Sequence, residues 1–329
     1  MPPITTIEST VKSCLSNEPS HQTIGPHKSI LSGGHPGTQP WTGKSIIVST
    51  FNIRYAAGPR LISGNLLRRL GLGRLASRPA LIGNNLEAAA RIFSSGTIMP
   101  PADIIAIQEA DIETKRAARR NIAASLAAGL SMVYAHAPAE TSSGEPPKRN
   151  QWYLDFEEPI DTNDGGDTGI AMLSRFEFGR VQRIDLPWDG CQWRPRLAMA
   201  SSLSFGATEV LIINAHIDPH TSIPGQLAQH RAILEFAAKY CCPIIYAGDF
   251  NTFSKAACDA MLEVLRYEGF ATPLPTKLAT WRAGAIRLHT DWIFVRNATV
   301  RRWGVAKPLR VSDHWPVWAE IDFSQLQGC

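Results

Sequence analysis

Polar residues that could do chemistry recur in this sequence at the ends of short apolar runs. Those that follow a run are Asn52, Glu109, His216, Asp249 and Asn251. Those that precede a run are Asp291, Asp313 and His314. Loops at strand ends are where α/β folds build their sites, so we expect these side chains to lie close together.

The residue types in this set suit metal-assisted hydrolysis of a phosphate ester. Glu109 and Asp313 are oxygen ligands of the kind that Mg²⁺ prefers, and His216 and His314 can titrate near neutral pH. The other carboxylates and amides could orient these groups or donate hydrogen bonds to a phosphate. A single Asn, Asp or His at a strand end is usually a turn or packing residue, but that reading does not explain the whole ordered set.

The elements that must position these residues alternate along the chain. Apolar runs, several of them rich in β-branched residues, predict buried strands at 46–51, 104–107, 170–173, 197–205, 210–215, 244–247, 291–295 and 316–321. Amphipathic segments predict helices at 85–93, 114–130, 224–240 and 255–267. The mixture indicates an α/β protein with one large core.

Length and composition limit the classes of protein to consider. The chain has 329 residues, 33 Lys and Arg against 29 Asp and Glu, and 44% hydrophobic residues, which excludes a wholly disordered or fibrous protein. The 6 cysteines form no CxxC pair, so we expect neither a disulfide framework nor a zinc site. No secretory signal and no run of about 18 apolar residues is evident, so we expect a cytoplasmic protein without stable membrane insertion.

The composition changes sharply at Ser45. Residues 1–44 are rich in Ser, Thr, Pro, Gly and His, which predicts a disordered N-terminal tail before a catalytic domain at 45–323 and a C-terminal tail at 324–329. The basic segment 56–80 is interpreted as a solvated loop or short helix. The insertion 139–167 contains an Asp/Gly cluster that lacks the final Glu of a calcium loop, so we do not expect calcium there.

The ordered motifs resemble those of a known superfamily. They are STFNIR (49–54), IIAIQEAD (104–111), GIAMLSR (169–175), INAHID (213–218), YAGDFNT (246–252), TDWIFV (290–295) and VSDHWPV (311–317). In the same order, they are similar to motifs of the endonuclease/exonuclease/phosphatase superfamily of deoxyribonuclease-I-like phosphodiesterases, with bacterial members of unassigned substrate among the most similar. The resemblance implies a four-layered α/β/β/α sandwich, in which two mixed sheets pack face to face with helices outside. It also implies a Mg²⁺-dependent phosphodiester hydrolase, with Mn²⁺ as the alternative metal.

The resemblance implies a role for each site residue. Glu109 would be the principal Mg²⁺ ligand, and Asn52 and Asp313 would complete or support the metal site. His314 would help to activate or position the attacking water, and Asp291 would orient His314.

The remaining residues would act on the nucleophile and the phosphate. Asp249 and Asn251 would orient the nucleophile and the phosphate oxygens. His216 would bind the phosphate and could protonate the leaving oxygen, with Asp167 as a loosely aligned acidic partner.

Departures from particular subfamilies bear on the substrate. Ile170 replaces a tyrosine of abasic-site endonucleases, which argues against base-excision repair. His216 and His220 are spaced like paired histidines of inositol polyphosphate 5-phosphatases, although the CDR motif of those enzymes is missing. Sphingomyelinases also have a histidine at the position of His216. An inositol phosphate or a sphingomyelin head group therefore remains the alternative substrate.

Basic and aromatic residues favour a nucleic acid. The arginines in or near predicted loops and in the C-terminal third include Arg54, Arg194, Arg196, Arg282, Arg287, Arg301, Arg302 and Arg310. Several of them around a cleft would attract a polyanion, and the tryptophans in or beside predicted loops could stack on bases. We expect a monomeric phosphodiesterase that acts on nucleic acid, and the sequence indicates no protein partner. A catalytically silent binding module is the remaining alternative, against which the intact site residues argue.

Overall fold

Two β-sheets form the centre of the computed structural model, which describes residues 30–36, 43, 45–59, 78–139, 160, 164–187, 196–206 and 208–323. The strands of the first sheet are β1 (Leu31–Gly34), β2 (Ser45–Asn52), β3 (Ile104–Gln108), β4 (Val133–Pro138), β5 (Gly169–Ser174), β13 (Thr299–Val305) and β14 (Val317–Asp322). Those of the second are β6 (Val181–Asp185), β7 (Leu197–Phe205), β8 (Thr208–His216), β9 (Ile244–Asp249) and β12 (Asp291–Arg296). A separate hairpin pairs β10 (Trp281–Ala283) with β11 (Ile286–Leu288).

Both sheets are mixed. The first has the strand order β1-β4-β5-β3-β2-β14-β13, and the second has the order β12-β9-β8-β7-β6. Within each sheet one central pair is parallel, namely β2 with β3 and β8 with β9, and the other pairs are antiparallel. This arrangement matters for the site because parallel neighbours end at the same edge of a sheet.

Four α-helices complete the described fold. They are α1 (Arg78–Ser94), α2 (Ile122–Leu130), α3 (Ile223–Ala237) and α4 (Lys255–Tyr267). The last three begin at side-chain caps, in which Asn121, Ser222 and Ser254 each accept a hydrogen bond from a backbone N–H of the first turn. No helix among the described residues is long and apolar enough to cross a bilayer.

Alternate residues of the central strands face two different cores. On β2, Val48 packs in the core between the sheets, whereas Phe51 packs with α1 and α2. Strand β3 repeats the alternation, with Ala106 on the side of the second sheet and Ile107 on the side of these helices. Helices α3 and α4 pack against the second sheet through residues such as Ile233. The predicted four-layered α/β/β/α sandwich is therefore confirmed.

One predicted helix is shorter than expected. All eight predicted strands are present, but the helix expected at 114–130 begins only at Ile122, and residues 112–120 form turns and an isolated bridge. The reason is a buried ion pair, in which Asp111 accepts hydrogen bonds from Nε and Nη2 of Arg116 at 2.6 and 2.9 Å. This contact holds the chain in turns, although its alanine-rich sequence favours a helix.

Strand β1 lies within the segment that was expected to be a disordered tail. Its residues form backbone pairs with β4, with Leu31 opposite His136, and such pairing needs no apolar period in the sequence. The sequence pattern also does not predict β4, β6, β10, β11 or β13; no residue of β13 is buried, and this strand carries adjacent arginines. Much of the other predicted segments lies outside the described residues. These parts are 1–29, 37–42 and 44 of the N-terminal tail, 60–77 of the basic segment, 140–159 and 161–163 of the insertion, and the C-terminal tail 324–329.

The ion pair of Asp111 and Arg116 is almost completely enclosed. Burial by itself would raise the pKa of Asp111, but the charge and hydrogen bonds of Arg116 outweigh it and lower this pKa. The guanidinium also lies over the ring of Tyr55, 4.1 Å from the ring centroid. Breaking the pair would leave a charge in the core without its partner.

We therefore expect Arg116→Met to lower the free energy of unfolding by about 3–5 kcal/mol, measured by equilibrium urea denaturation. The control Arg91→Met removes an exposed partner of Glu87 and should change it by less than about 1 kcal/mol. Because the pKa of Asp111 is lowered on folding, its contribution is present above the unfolded value of about 4 and is lost as the pH falls through the folded value. Similar small losses in both variants would contradict this account.

Candidate active site

The strand order brings the predicted site residues to one edge of the sandwich. At the ends of the parallel pairs, Asn52 lies beside Gln108 and His216 lies beside Asp249. Strand β12 is antiparallel to β9 and starts at the same edge, where Asp291 lies beside Asp249. Each sheet thus contributes strand ends that place polar side chains at a common edge.

The loop before β14 carries Asp313 and His314 to this edge. An isolated bridge pairs His314 with Trp281 of β10. The carboxylate oxygen Oδ2 of Asp313 accepts a hydrogen bond from Nε1 of Trp281 at 3.1 Å and lies 3.3 Å from Nη1 of Arg54. The loop is therefore attached on one side to the β10–β11 hairpin and on the other to the turn that follows β2.

Asn52 joins the two sheets through its side-chain amide. Nδ2 donates to Oδ2 of Asp249 at 2.9 Å and to Oε1 of Glu109 at 3.2 Å. Oδ1 accepts from the backbone N–H of Arg54 at 3.0 Å, which assigns the orientation of the amide. In this orientation Asn52 presents donors to the carboxylates, so it supports a metal site rather than offering its oxygen to a cation.

Asp249 lies between the two histidines of the predicted set. Its Oδ2 is 3.7 Å from Nε2 of His216 and 3.7 Å from Nε2 of His314. The other ring nitrogen of His314, Nδ1, lies 2.9 Å from Oδ2 of Asp291. Asp291 also accepts from the hydroxyl of Thr290 at 2.8 Å, so both its position and that of the imidazole are fixed.

Burial and charge act in opposite directions on this group. Burial would lower the pKa of His314, but the negative charges of Asp291 and Asp249 outweigh burial and raise it. Burial is the largest influence on Asp249 and raises its pKa; Asp291 adds to the effect, while His314 and Asn52 oppose it. In the metal-free protein this geometry favours an imidazolium at His314.

Three other buried histidines make no direct contact with a carboxylate side chain of the described residues. Burial lowers the pKa of His230 to about 3. It lowers that of His289 to about 4, although Asp291 opposes the shift, and it lowers that of His136 as well. His289 stacks on Trp292 with the ring centroids 3.6 Å apart. These three side chains therefore have packing roles.

Arg196 is a site residue to which the sequence pattern gives no catalytic role. Its Nη1 lies 2.9 Å from Nδ1 and 3.1 Å from Nε2 of His216, and the residue is 6% exposed. Because a guanidinium only donates, the ring nitrogen that faces it must act as an acceptor. The signal that could have found Arg196 is its position directly before β7, whose start lies beside the end of β8.

Arg196 and His216 line a small cleft together with Glu109. Thr168 lies in the same wall, and its backbone N–H donates to Oδ1 of Asp167 at 2.8 Å. Asp167, the acidic residue suggested as the partner of His216, thus lies beside the cleft. The guanidinium of Arg196 lies next to the histidine.

Two site residues hold backbone conformations that side chains rarely adopt. Glu109 has φ 52° and Asn251 has φ 50°, both in the left-handed region. The carbonyl of Glu109 accepts from the N–H of Tyr55 at 3.0 Å, and Nδ2 of Asn251 donates to the carbonyl of Ile217 at 2.8 Å. Such positions cost about 1–3 kcal/mol and persist where surrounding contacts determine them, which is typical of functional sites.

Among the described residues there are two candidates for metal binding, namely a cluster of three side chains and the carboxylate of Glu109. One ligand atom from each of Asp249, Asp291 and His314 lies within 4.8 Å of the others. However, the contact between Asp291 and His314 already uses Nδ1 of the ring. Glu109 fits a hard cation better, because its Oε1 accepts from Asn52 while no described residue donates to its Oε2.

A sandwich of two mixed sheets with this set of carboxylates, amides and histidines at one edge defines a phosphoester hydrolase. The chain matches the model of the Endonuclease/Exonuclease/phosphatase family over residues 36–314, and it belongs to this family. Members of the family generally depend on a divalent metal, and the acidic edge described above is consistent with that dependence. No curated protein gives a significant match to the chain.

Solved structures share the fold at low sequence identity. The endonuclease/exonuclease/phosphatase from Beutenbergia cavernae is 17% identical, with a TM-score of 0.59 over 85% of this chain and 72% of that one. A mannosyl-6-phosphatase from Bacteroides thetaiotaomicron is 17% identical, with a TM-score of 0.56 over 85% and 100%. ANGEL2, described as a 2',3'-cyclic phosphatase, is 15% identical, with a TM-score of 0.54 over 85% and 95%.

The contact between His314 and Asp291 generates a prediction about protonation. Asp291→Asn is expected to lower the pKa of His314, because the substitution removes the charge that most strongly opposes the effect of burial. In the metal-free wild type the ring should hold its proton through neutral pH, and in the variant it should lose it at lower pH. Imidazole NMR titration measures both, with His230 as a neutral internal reference. An unchanged pKa for His314 would contradict the assignment.

Proposed function

We propose that this protein is a Mg²⁺-dependent phosphodiester hydrolase that acts on nucleic acid. The observation that carries the proposal is the position of Asp249, whose carboxylate meets Asn52 from the first sheet and both site histidines within 3.7 Å. Hydrolysis of a phosphodiester needs an acceptor for the proton of water and donors for the phosphate oxygens. This edge offers both.

Glu109 and Asp313 are the residues that would hold Mg²⁺. Both are partly exposed at the edge, and Glu109 has an oxygen without a described donor. Asp313 already lies beside the guanidinium of Arg54, which supports a shared or secondary role for this carboxylate. The bound cation would supply positive charge to the phosphate oxygens.

The side chains suggest a division of labour. Asp249, held by Asn52 and by the N–H of Asn251 at 3.1 Å, would orient the attacking water and accept its proton. His314, fixed by Asp291, would direct Nε2 to the phosphate and stabilise its negative charge. Preorganised donors of this kind usually give the largest single contribution to rate enhancement.

The other side of the cleft would interact with the phosphate. Arg196 and His216 form a buried pair there, and the planar guanidinium can bind phosphate oxygens. The Nη1 group can donate both to the histidine and to an oxygen of the substrate. His216 would donate a ring proton to the leaving oxygen and would then regain a proton from solvent.

The preference for nucleic acid rests on aromatic surface beside the site. Phe253 is 43% exposed two residues after Asn251, and its ring lies 6.2 Å from that of Trp281. Exposed aromatic rings beside a phosphate site can stack on bases. The tryptophans at 188 and 193 and the arginine at 194 lie outside the described residues.

The second candidate is a phosphatase that acts on a small phosphate ester. The structural neighbour described as a mannosyl-6-phosphatase favours it, since the same fold serves that protein over its whole length. An inositol phosphate or a sphingomyelin head group belongs to this alternative. The catalytic edge would serve either substrate, so the distinction lies in the surface around it.

Loss of either key residue should abolish turnover without unfolding the protein. Glu109→Ala and His314→Ala are each expected to lower kcat on bis-p-nitrophenyl phosphate by about 10²–10⁴, because they remove a metal ligand and a charged donor. The control His35→Ala removes an exposed histidine of the described chain and should leave kcat unchanged. Thermal melts should stay within a few degrees of the wild type, and wild-type turnover in either site variant would refute the assignment.

Metal dependence and substrate class can be tested in one panel. We expect hydrolysis of single-stranded DNA, supercoiled DNA or RNA with Mg²⁺, and none after addition of EDTA, because the acidic edge needs a bound cation to receive a phosphate. Inositol phosphates, p-nitrophenyl phosphate and sphingomyelin form the other arm. Turnover confined to that arm would overturn the nucleic-acid substrate and keep the hydrolytic site, while equal rates in EDTA would overturn the metal.

A further inference from the structure

Three cationic groups converge on the indole of Trp315, the residue after His314. The guanidinium carbon of Arg282 lies 5.0 Å from the ring centroid, that of Arg287 lies 5.8 Å away, and Nζ of Lys307 lies 4.3 Å away. Arg310 is close enough to Arg282 to affect its ionisation. We refer to Arg282, Arg287, Lys307 and Arg310 as the Trp315 cation cluster.

The cluster lacks matching negative charge within the described chain. No described carboxylate lies within salt-bridge distance of any of its four members. Arginines on the neighbouring strand β13 are paired, since Arg301 contacts Asp322 and Arg302 lies 2.6 Å from Glu320. Carboxylates therefore neutralise Arg301 and Arg302, whereas no described carboxylate pairs with a member of the cluster.

The positive charges of the cluster repel one another and help to lower the pKa of two of its members. Burial and the charges of Arg287 and Arg310 lower the pKa of Arg282, with Asp313 opposing them. Burial and Arg287 also lower the pKa of Lys307. Like charges held together in this way favour the binding of an anion, which would relieve the repulsion.

Backbone contacts hold two of the guanidinium groups. Nη1 of Arg287 donates to the carbonyl of Gly284 at 2.7 Å, and Nη2 of Arg282 donates to the carbonyl of Leu309 at 3.4 Å. Arg287, Lys307 and Arg310 are exposed, so a ligand can reach them from solvent. The remaining N–H groups of each fork can bind phosphate oxygens.

The cluster is joined directly to the catalytic edge. The backbone N–H of Arg282 donates to the carbonyl of Asp313 at 3.0 Å, and Trp281 forms a bridge with His314. Trp315 in turn donates from its backbone to the carbonyl of Thr280 at 2.7 Å. The hairpin that carries Arg282 and Arg287 is therefore attached directly to the segment that carries Asp313 and His314.

We propose that the Trp315 cation cluster is a subsite for a second phosphate group of the substrate. The inference rests on the proposed function, because it assumes that the reacting phosphate binds at the edge formed by Asp249 and His314. The ligand chemistry is a phosphate that is not cleaved, carried on the same molecule as the one that is. It can come from the next phosphate of a nucleic-acid backbone or from a small compound with several phosphates, and the test separates the two sources.

The test uses the full chain and the variant Arg287→Gln/Lys307→Gln. The matched control is Arg231→Gln/Lys239→Gln, which removes the same charge from exposed positions on or just after the outer helix α3. Binding of fluorescent decathymidylate is measured in EDTA, with myo-inositol hexakisphosphate as competitor. Hydrolysis with Mg²⁺ is measured on decathymidylate and on bis-p-nitrophenyl phosphate, which has only one phosphate.

We expect the cluster variant to weaken decathymidylate binding and to raise its KM at least tenfold, with a shallower salt dependence. Its kcat/KM on bis-p-nitrophenyl phosphate should stay within twofold of the wild type, and the control should stay within twofold on both substrates. Binding of the hexakisphosphate but not of the oligonucleotide, lost in the cluster variant, would support the subsite and assign a small ligand to it.

Three results would overturn the subsite. They are equal losses on both substrates, equal losses in the cluster variant and the control, and no binding of either polyanion to the wild type. Failure of the proposed function gives a different result, namely no hydrolysis of any diester by the wild type. In that case the binding measurements in EDTA still decide whether the cluster holds phosphate.

Discussion

Hydrogen bonds that cross between the two sheets hold the edge with the candidate active site together. Nε2 of Gln108, at the end of β3, donates to Oδ1 of Asn214 on β8 at 2.7 Å. The Asn214 amide then donates at 2.9 Å to the carbonyls of Ile107 and Ala171 in the first sheet. All of these groups are fully buried, where an unmade hydrogen bond would be costly. Apolar contacts alone would allow the sheets to slide, whereas these bonds select one relative position.

Within the site, each of three buried or partly buried aspartates has a nearby cationic or hydrogen-bonding partner. Asp291 has His314, Asp313 has Arg54, and Asp249 lies between amide and imidazole donors. No described residue donates to the second carboxylate oxygen of Glu109, and no described carboxylate lies within salt-bridge distance of the Trp315 cation cluster. The edge thus combines carboxylates that could bind a cation with an attached hairpin whose arginines could bind an anion, an arrangement that suits a metal-assisted reaction of a phosphate compound.

Much of this arrangement can be read from the sequence, because both the strands and the candidate site residues have local signals. Buried β-branched runs mark the central strands, and polar residues at their ends mark the edge. Specific side-chain pairings have no such signal: the contact of Asp111 with Arg116 shortens a helix, and that of Arg196 with His216 places a guanidinium beside a histidine. Strand β1 is equally silent, since its four residues are determined by the neighbour with which they pair.

That short strand has a consequence for how the molecule behaves in solution. Among the described strands, β4 has β5 on one side and only β1 on the other, so residues 31–34 cover the backbone donors and acceptors of a sheet margin. A chain trimmed to begin at Ser45, where the composition changes, would uncover this margin and offer it to another molecule. Open strand edges are templates for self-association, so residues 31–34 protect β4 from pairing with another molecule.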